Sequence, residues 1–442
     1  MTSARSSVRS RGTATSAACS TTAAGPSRAD CAALDAAADA GDGLAAQAAR
    51  FAPGAPGVIY LDANSIGPMP AAAPARLSAL LDQGWRVARR RSWNESDWLA
   101  QPRQLGAALA HQIGAGADDV LVCDSTSLNH YKLLRLALQA AAPRDTVVVQ
   151  SDVFPSNRYI AQGLVQSGLS LLRSIDSVDG LEAALAPGDV AVVSLSHVDY
   201  RSGERLDMAA LSALAHHHGA LVLWDLSHSA GAVAVDLRAA DADLAVACGY
   251  KYLCGGPGAP ALLYVHPRLQ QAAWPAIAGW MGHADTFAFD PTFVPAAGVA
   301  HLQVGTPAVI ANAVFAAAAE IWREVDPAAL NARHRSLTDT LVLLVDAHCA
   351  ARGVELAGPR EHARRGGHVT LRFAGADADV QALGQALVDA GVVVSTRKPD
   401  ALRLAAHPLL TRHVELWDAV QRLCTILDDG CWRESRFQGS SV

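Results

Sequence analysis

Asp225, His228, Tyr250 and Lys251 fall within one stretch, Ala220 to Pro260, at positions that suit chemistry. An apolar run from Ala220 to Trp224 delivers Asp225 and, three residues on, His228. A second run, Leu244 to Cys248, delivers Tyr250 and Lys251 ahead of the turn Gly255-Gly256-Pro257-Gly258. A lysine and an aspartate at the ends of two buried strands suit the handling of pyridoxal phosphate (PLP). The amine forms a Schiff base with the aldehyde, and the aspartate stabilises the protonated ring nitrogen that makes the ring an electron sink. The chain has only three lysines, Lys132, Lys251 and Lys398, and its other basic charge is arginine. A guanidinium stays protonated and is no amine nucleophile, so a Schiff-base lysine is one that arginine cannot replace.

The phosphate of such a cofactor needs an anion site. Asp124-Ser125-Thr126-Ser127 lies between a strand pattern ending at Cys123 and a helical pattern from Leu128 to Ala142. Backbone amides, the helix dipole and the hydroxyls of Thr126 and Ser127 would converge there on a dianion, although Ser and Thr at such a position also serve as plain caps. The glycines after Lys251 do not open a helix, which argues against dinucleotide binding.

The elements that must position these residues alternate. Apolar, mostly β-branched runs at Val120–Cys123, Thr146–Val149, Val190–Leu195, Ala220–Trp224, Leu244–Cys248 and Ala261–Val265 are separated by stretches of helical spacing. This pattern predicts an α/β fold with a mainly parallel sheet covered by helices on both faces. One helix is predicted from an N-cap at Asp207 through Met208, Leu211, Leu214 and Ala215 to Gly219. The predicted division is an N-terminal extension over 1–28, a segment over 29–98 packing with a small domain, a large PLP-binding domain over 99–320, a smaller C-terminal α+β domain over 321–435, and a tail over 436–442. Strand patterns at His368–Phe373, Val392–Ser395 and Leu402–Ala405 belong to the small domain.

With 442 residues the chain can bury a large core in more than one domain. A net charge of -6 argues against nucleic acid or an anionic membrane as partner and favours a small molecule. The eight cysteines show neither a CxxC pair nor zinc spacing, so no metal is expected and the thiols read as reduced and cytoplasmic. Residues 1–28 are rich in Ser, Thr, Ala and Arg and read as a disordered extension, with a transit peptide or an early start as alternatives.

The residues around these positions resemble the kynureninase family, PLP enzymes of fold type I in the class V aminotransferase group. The resemblance runs from about Tyr60 to Leu410 in ordered blocks: YLDANSIGPMP at 60–70, WNESDW at 93–98, DSTSLN at 124–129, FPSNRYIAQGL at 154–164, HVDYRSGERLDM at 197–208, WDLSHSAGAV and CGYKYLCGGPGAP around Asp225 and Lys251, GWMGH at 279–283 and VGTP at 304–307. It implies a seven-stranded sheet and a homodimer with the active site near the subunit interface. It also implies hydrolysis of the Cβ–Cγ bond of L-kynurenine or 3-hydroxy-L-kynurenine, to L-alanine and anthranilate or 3-hydroxyanthranilate, for tryptophan breakdown, NAD supply or a secondary metabolite.

By the same resemblance, Lys251 holds PLP and moves protons, Asp225 pairs with the ring nitrogen, and Tyr250 touches the phosphate and helps protonate a substrate carbon. Thr126, Ser127, Phe154, Asn157, Ser196, His228, Trp280 and Thr306 are implied cofactor contacts, Phe154 by stacking on the ring. Arg403 would grip the substrate carboxylate, and Asn64, Ser65, Trp93 and His283 would line the aryl pocket. Four positions depart from the family pattern. Asn157 stands where the family carries aspartate, Ala63 where it has glycine, and Ser395 and Leu410 where it favours aspartate and tyrosine, which implies a slower or differently selective enzyme. Two rivals share the Asp225/His228/Lys251 frame: another class V enzyme, such as a cysteine desulfurase-like lyase or an aminotransferase, and a non-catalytic PLP-binding protein.

Overall fold

The computed structural model describes residues 25–41, 43–373 and 379–438. Its centre is a seven-stranded sheet of β1 (Val120–Cys123), β2 (Thr146–Gln150), β3 (Leu171–Ile175), β4 (Val190–Ser196), β5 (Leu221–Asp225), β6 (Leu244–Ala247) and β7 (Ala261–Val265), in the order β1-β7-β6-β5-β4-β2-β3. The strands from β6 to β3 run parallel, and β7 is antiparallel to both its neighbours. The expected α/β architecture with a mainly parallel seven-stranded sheet is therefore present. The strand β3 escapes the sequence pattern because it is an edge strand, with Leu171 exposed and Arg173 and Ser174 on it.

Both faces of the sheet are covered, so alternate residues of one strand feed two cores. Leu121, Val147, Val149, Leu223, Leu244 and Val246 pack with Leu133, Leu134 and Ala137 of the helix Thr126–Ala140 and Ala161 of the helix Pro155–Gln166. On the other face Val120, Val122, Val148, Trp224 and Ala245 meet Leu105 of Gln101–Leu109, Ala215 of Met208–His217, and Phe315 and Trp322 of Val309–Trp322. Asp207 caps its helix as predicted, accepting from Ala210 N at 3.0 Å, and Gly219 closes it at φ +73°.

A second core lies around a four-stranded antiparallel sheet of Val354–Leu356, Val369–Phe373, Ser395–Arg397 and Ala401–Leu404, packed on the helices Pro327–His348, Val380–Asp389 and His413–Asp429. The run expected as one strand over Val392–Ser395 divides. Val392 and Val393 pair in parallel with Ile59 and Tyr60, while Ser395–Arg397 joins Ala401–Leu404. The change of core falls within the helix Pro327–His348, whose Leu330 belongs to the large core and whose Leu337 and Leu341 belong to the small one.

The segment 29–98 does not act as one piece. The helix Arg28–Gly41 docks on the small domain, where the buried Asp35 accepts from His413 N and Val414 N, whereas Leu44 and Phe51 join the large core. Most of the N-terminal extension lies outside the described residues, but Arg28 opens that helix and pairs with Asp418. The tail lies outside them from residue 439, and its start is packed, with Phe437 buried in the small-domain core. Among the described residues no helix is long and apolar enough to cross a membrane.

Candidate active site

Asp225 ends β5, flanked in register by Ser196 of β4 and Val246 of β6, and its side chain is buried. Oδ2 accepts from Asn157 Nδ2 at 2.9 Å and Oδ1 from Ser227 N at 2.9 Å. Asn157, in the first turn of its helix, thus acts on the carboxylate as a hydrogen-bond donor. His130 is fully buried within the electrostatic reach of Asp225; its Nε2 lies 3.2 Å from Ser194 Oγ and its Nδ1 has no partner among the described residues. Burial draws the imidazole pKa down to about 4, against the opposing pull of Asp225.

Lys251 sits just past β6 with Nζ 3.0 Å from His228 Nε2, 5.8 Å from the centre of the Phe154 ring and 6.0 Å from that of Tyr250. Burial and then the Lys251 ammonium push His228 well below its usual pKa, so its imidazole is neutral and Nε2 can accept from the amine. His228 Nδ1 has no partner among the described residues. The lysine backbone is pressed by the opening motif. A Cβ on Gly67 would lie 2.1 Å from the Lys251 carbonyl oxygen, so only glycine fits, and Gly67 N donates to Tyr250 O at 2.9 Å. The Tyr250 hydroxyl, beside Cys248, is raised above its ordinary pKa by burial and stays protonated.

Tyr250 also faces a cavity of about 650 Å³, whose wall includes Ser65, Asp124, Ser125, Thr126, Gln303 and Thr306. Thr126 opens a 15-residue helix, and its hydroxyl lies 3.2 Å from Cys248 Sγ. The cap is Ser125, whose Oγ accepts from Leu128 N, while Ser127 is exposed and outside the cavity wall. Gln303 is buried with Nε2 unpartnered among the described residues, a donor that sequence reasoning missed because nothing local marks it.

Arg403 is fully buried on the small sheet. Nη1 donates to Tyr200 O at 2.7 Å, and Nε and Nη2 donate to Ser395 Oγ at 3.1 and 2.8 Å. Burial and then the neighbouring Arg397 draw its pKa down to about 10, and it remains charged. Ser395 stands opposite Arg403 and Arg397 opposite Ala401, so both arginines project from one face of the sheet. Arg397 too was not identified from sequence; its meaning comes only from that register.

The other expected positions divide. Asn64 is buried with both amide atoms unpartnered among the described residues, and Ser65, in the cavity wall, donates to Asp62 at 2.8 Å. Phe154 is 41 % exposed, edge-on to Tyr200 at 5.4 Å. Ser196 opens instead into a polar pocket with Asp152, Asp199 and Arg201. Trp93 packs on Trp98 beside Trp85 and Arg89; Trp280 meets Phe287; His283 is held by its own loop through Asp285 O and Thr292 O. None of these last three lines the cavity that Tyr250 faces.

The residues fit PLP. A buried carboxylate, an amine beside a neutral imidazole, and a helix N-terminus are joined by buried polar atoms on His228, Asn64 and Gln303 that have no partner among the described residues, as a polar ligand requires. Among solved structures, the cystine C–S lyase C-DES in complex with cysteine persulfide superposes with a TM-score of 0.71 at 20 % identity, covering 83 % of this chain and 97 % of that one. A variant of C-DES with glycine covalently linked to its PLP cofactor gives 0.72 at 21 %, covering 85 % and 98 %. These likenesses show the fold. Residues 330–423 match the kynureninase C-terminal domain. Kynureninase of Pseudomonas fluorescens is 42 % identical over 93 % of this chain and 98 % of its own, and that of Deinococcus radiodurans 42 % over 90 % and 97 %. Identity at that level along almost the whole of both chains, on a fold that sets Lys251 against His228, means that the chain belongs to the kynureninase family.

Proposed function

We propose that this protein is a PLP-dependent hydrolase that cleaves the Cβ–Cγ bond of L-kynurenine or 3-hydroxy-L-kynurenine, adding water to give L-alanine and anthranilate or 3-hydroxyanthranilate. The observation that carries this is the Lys251–His228 contact of 3.0 Å, with Asp225 buried at the adjoining strand end, in a chain of this family. Bound PLP supplies an aldehyde that takes up the substrate amine and a ring that withdraws electrons from it.

The chain's own groups do the rest. Asp225, held by Asn157 and Ser227, keeps further lone pairs for the ring N–H of the cofactor, so the acceptor is fixed before the reaction begins. Neutral His228 leaves Lys251 free of a competing cation, and Lys251 Nζ removes the proton at the substrate Cα. The Tyr250 hydroxyl, still protonated, is a proton donor for the carbon left when the aryl acid departs. Arg403, with Arg397 beside it, binds the substrate carboxylate, and the unpartnered Asn64 amide orients the aryl ketone. Thr126 and Gln303 receive the phosphate.

Trp280, which is exposed, and the half-buried Trp93 and His283 would complete the pocket from a second copy, so the proposal includes a homodimer. It also includes the cytoplasm, supported by unpaired cysteines throughout the described residues. A desulfurase-like reaction needs a reachable cysteine, and Cys349 is buried 3.6 Å from Cys424. The test is to incubate the PLP-loaded protein with each kynurenine and follow alanine and aryl acid together. Equimolar release, abolished by Lys251→Arg, is expected; sulfide, a keto acid or no product from either overturns the proposal.

A further inference from the structure

Lys132 is 1 % exposed, and nothing in the reaction just described uses it. Its ammonium donates to Asp124 Oδ2 at 2.8 Å, to Leu302 O at 2.9 Å and to Cys123 Sγ at 3.4 Å, which satisfies all three of its N–H groups. Cys123 and Asp124 belong to one wall of the cavity that Tyr250 faces, and Leu302 adjoins another. Asp124, at φ +49°, leads into Ser125 and Thr126, and Leu302 leads into Gln303, Val304, Gly305 and Thr306.

We propose that Lys132 is a positioning residue for the cofactor phosphate, acting through Asp124 and Leu302 rather than by contact. The inference rests on the PLP reading above. Two effects follow from one ammonium. It fixes the spacing of the two loops, and it neutralises from behind a carboxylate that lines the cavity. Left alone, the Asp124 charge would repel a dianion bound at the Thr126 helix terminus.

The charge effect makes a demand that general destabilisation does not, because it acts on the phosphate and not on the ring. Apoprotein is titrated with PLP and with pyridoxal, which lacks the phosphate, and the two affinities are read from visible absorbance. Lys132→Met is expected to weaken PLP about 10- to 100-fold while pyridoxal changes less than about threefold. The double variant Lys132→Met/Asp124→Asn, with both charges gone, is expected to regain most of the lost PLP affinity. An unchanged ratio of PLP to pyridoxal affinity in Lys132→Met, or a double variant no better than the single, overturns the inference while the cofactor reading stands. If Lys132→Met does not fold, Asp124→Asn decides. It should raise the ratio several-fold, and an unchanged ratio overturns the inference. Wild-type protein that binds neither compound overturns the cofactor reading and this inference together.

Discussion

Asn157 donates to Asp225 at 2.9 Å inside the protein, so Asn157→Asp replaces a hydrogen bond by two carboxylates in contact. With their charges about 4 Å apart at an effective dielectric constant of about 20, the repulsion is about 4 kcal/mol, or about three pKa units. The pair therefore holds one proton to a pH near 7, well above the unfolded value near 4. A carboxyl whose folded pKa is raised costs nothing below its unfolded pKa, and its cost grows as pH rises towards the folded one. Apo Asn157→Asp should thus approach the parent in stability at acid pH and fall behind it by a further ~2 kcal/mol between pH 5.5 and 8. PLP, bringing a protonated ring nitrogen to Asp225, should narrow the gap. His130, the nearby buried imidazole, could take up the proton instead, so the series is repeated in a His130→Gln background. The assay is thermal unfolding of apo and loaded protein across that pH range. A gap between variant and parent that stays flat with pH in apoprotein refutes the reasoning.

Two further outcomes follow from burial. Arg403→Leu should lower kcat/KM for kynurenine about 10²- to 10³-fold, mostly through KM, with cofactor absorbance unchanged, and steady-state kinetics beside a PLP titration check this. Burial lowers His130, His334 and His407 to about 4 and His197 to about 3. A histidine with depressed folded pKa contributes stability that is present above about 6.5 and lost as pH falls towards 4, so unfolding temperature should drop steeply across that window; substituting His407 by Gln should make the drop shallower.

Much of the large domain was legible because its strands are buried on both faces and read as apolar runs between helical stretches; Val120–Cys123 and Ala261–Val265 form as expected from pattern alone. What the pattern missed depends on distant partners. The strand Leu171–Ile175 is half-exposed at an edge, and Val392–Val393 leaves its neighbours to pair with Ile59–Tyr60. The site divides in the same way. Asp225, His228 and Lys251 were legible because strand ends deliver them in sequence; Lys251 meets His228, and Asp225 ends the neighbouring strand. Arg397, Gln303 and His130 acquire meaning only when a sheet register or a helix packing sets them beside Arg403, Thr126 and Asp225. Trp93, Trp280 and His283 show the opposite case, residues that the resemblance marks and one folded chain leaves at its surface.

The charge pattern of the site gives a physical reason for its preference for an amino acid. Arg403 is desolvated, yet its three hydrogen bonds go to a serine hydroxyl and a backbone carbonyl, neither of which carries a neutralising charge. A guanidinium held this way has lost water without gaining an anion, and the second guanidinium of Arg397 on the same sheet face deepens the deficit. Asp62 lessens the deficit of both without cancelling it, and its carboxylate is itself engaged by the Ser65 hydroxyl in the opening loop. A substrate carboxylate relieves the imbalance on binding, and an uncharged analogue does not. That difference is built into the small-domain sheet. Under the proposed function this would turn the carboxylate end of the ligand towards Arg403, leaving its amine for Lys251 and its aryl ketone for the cavity side that Ser65 lines.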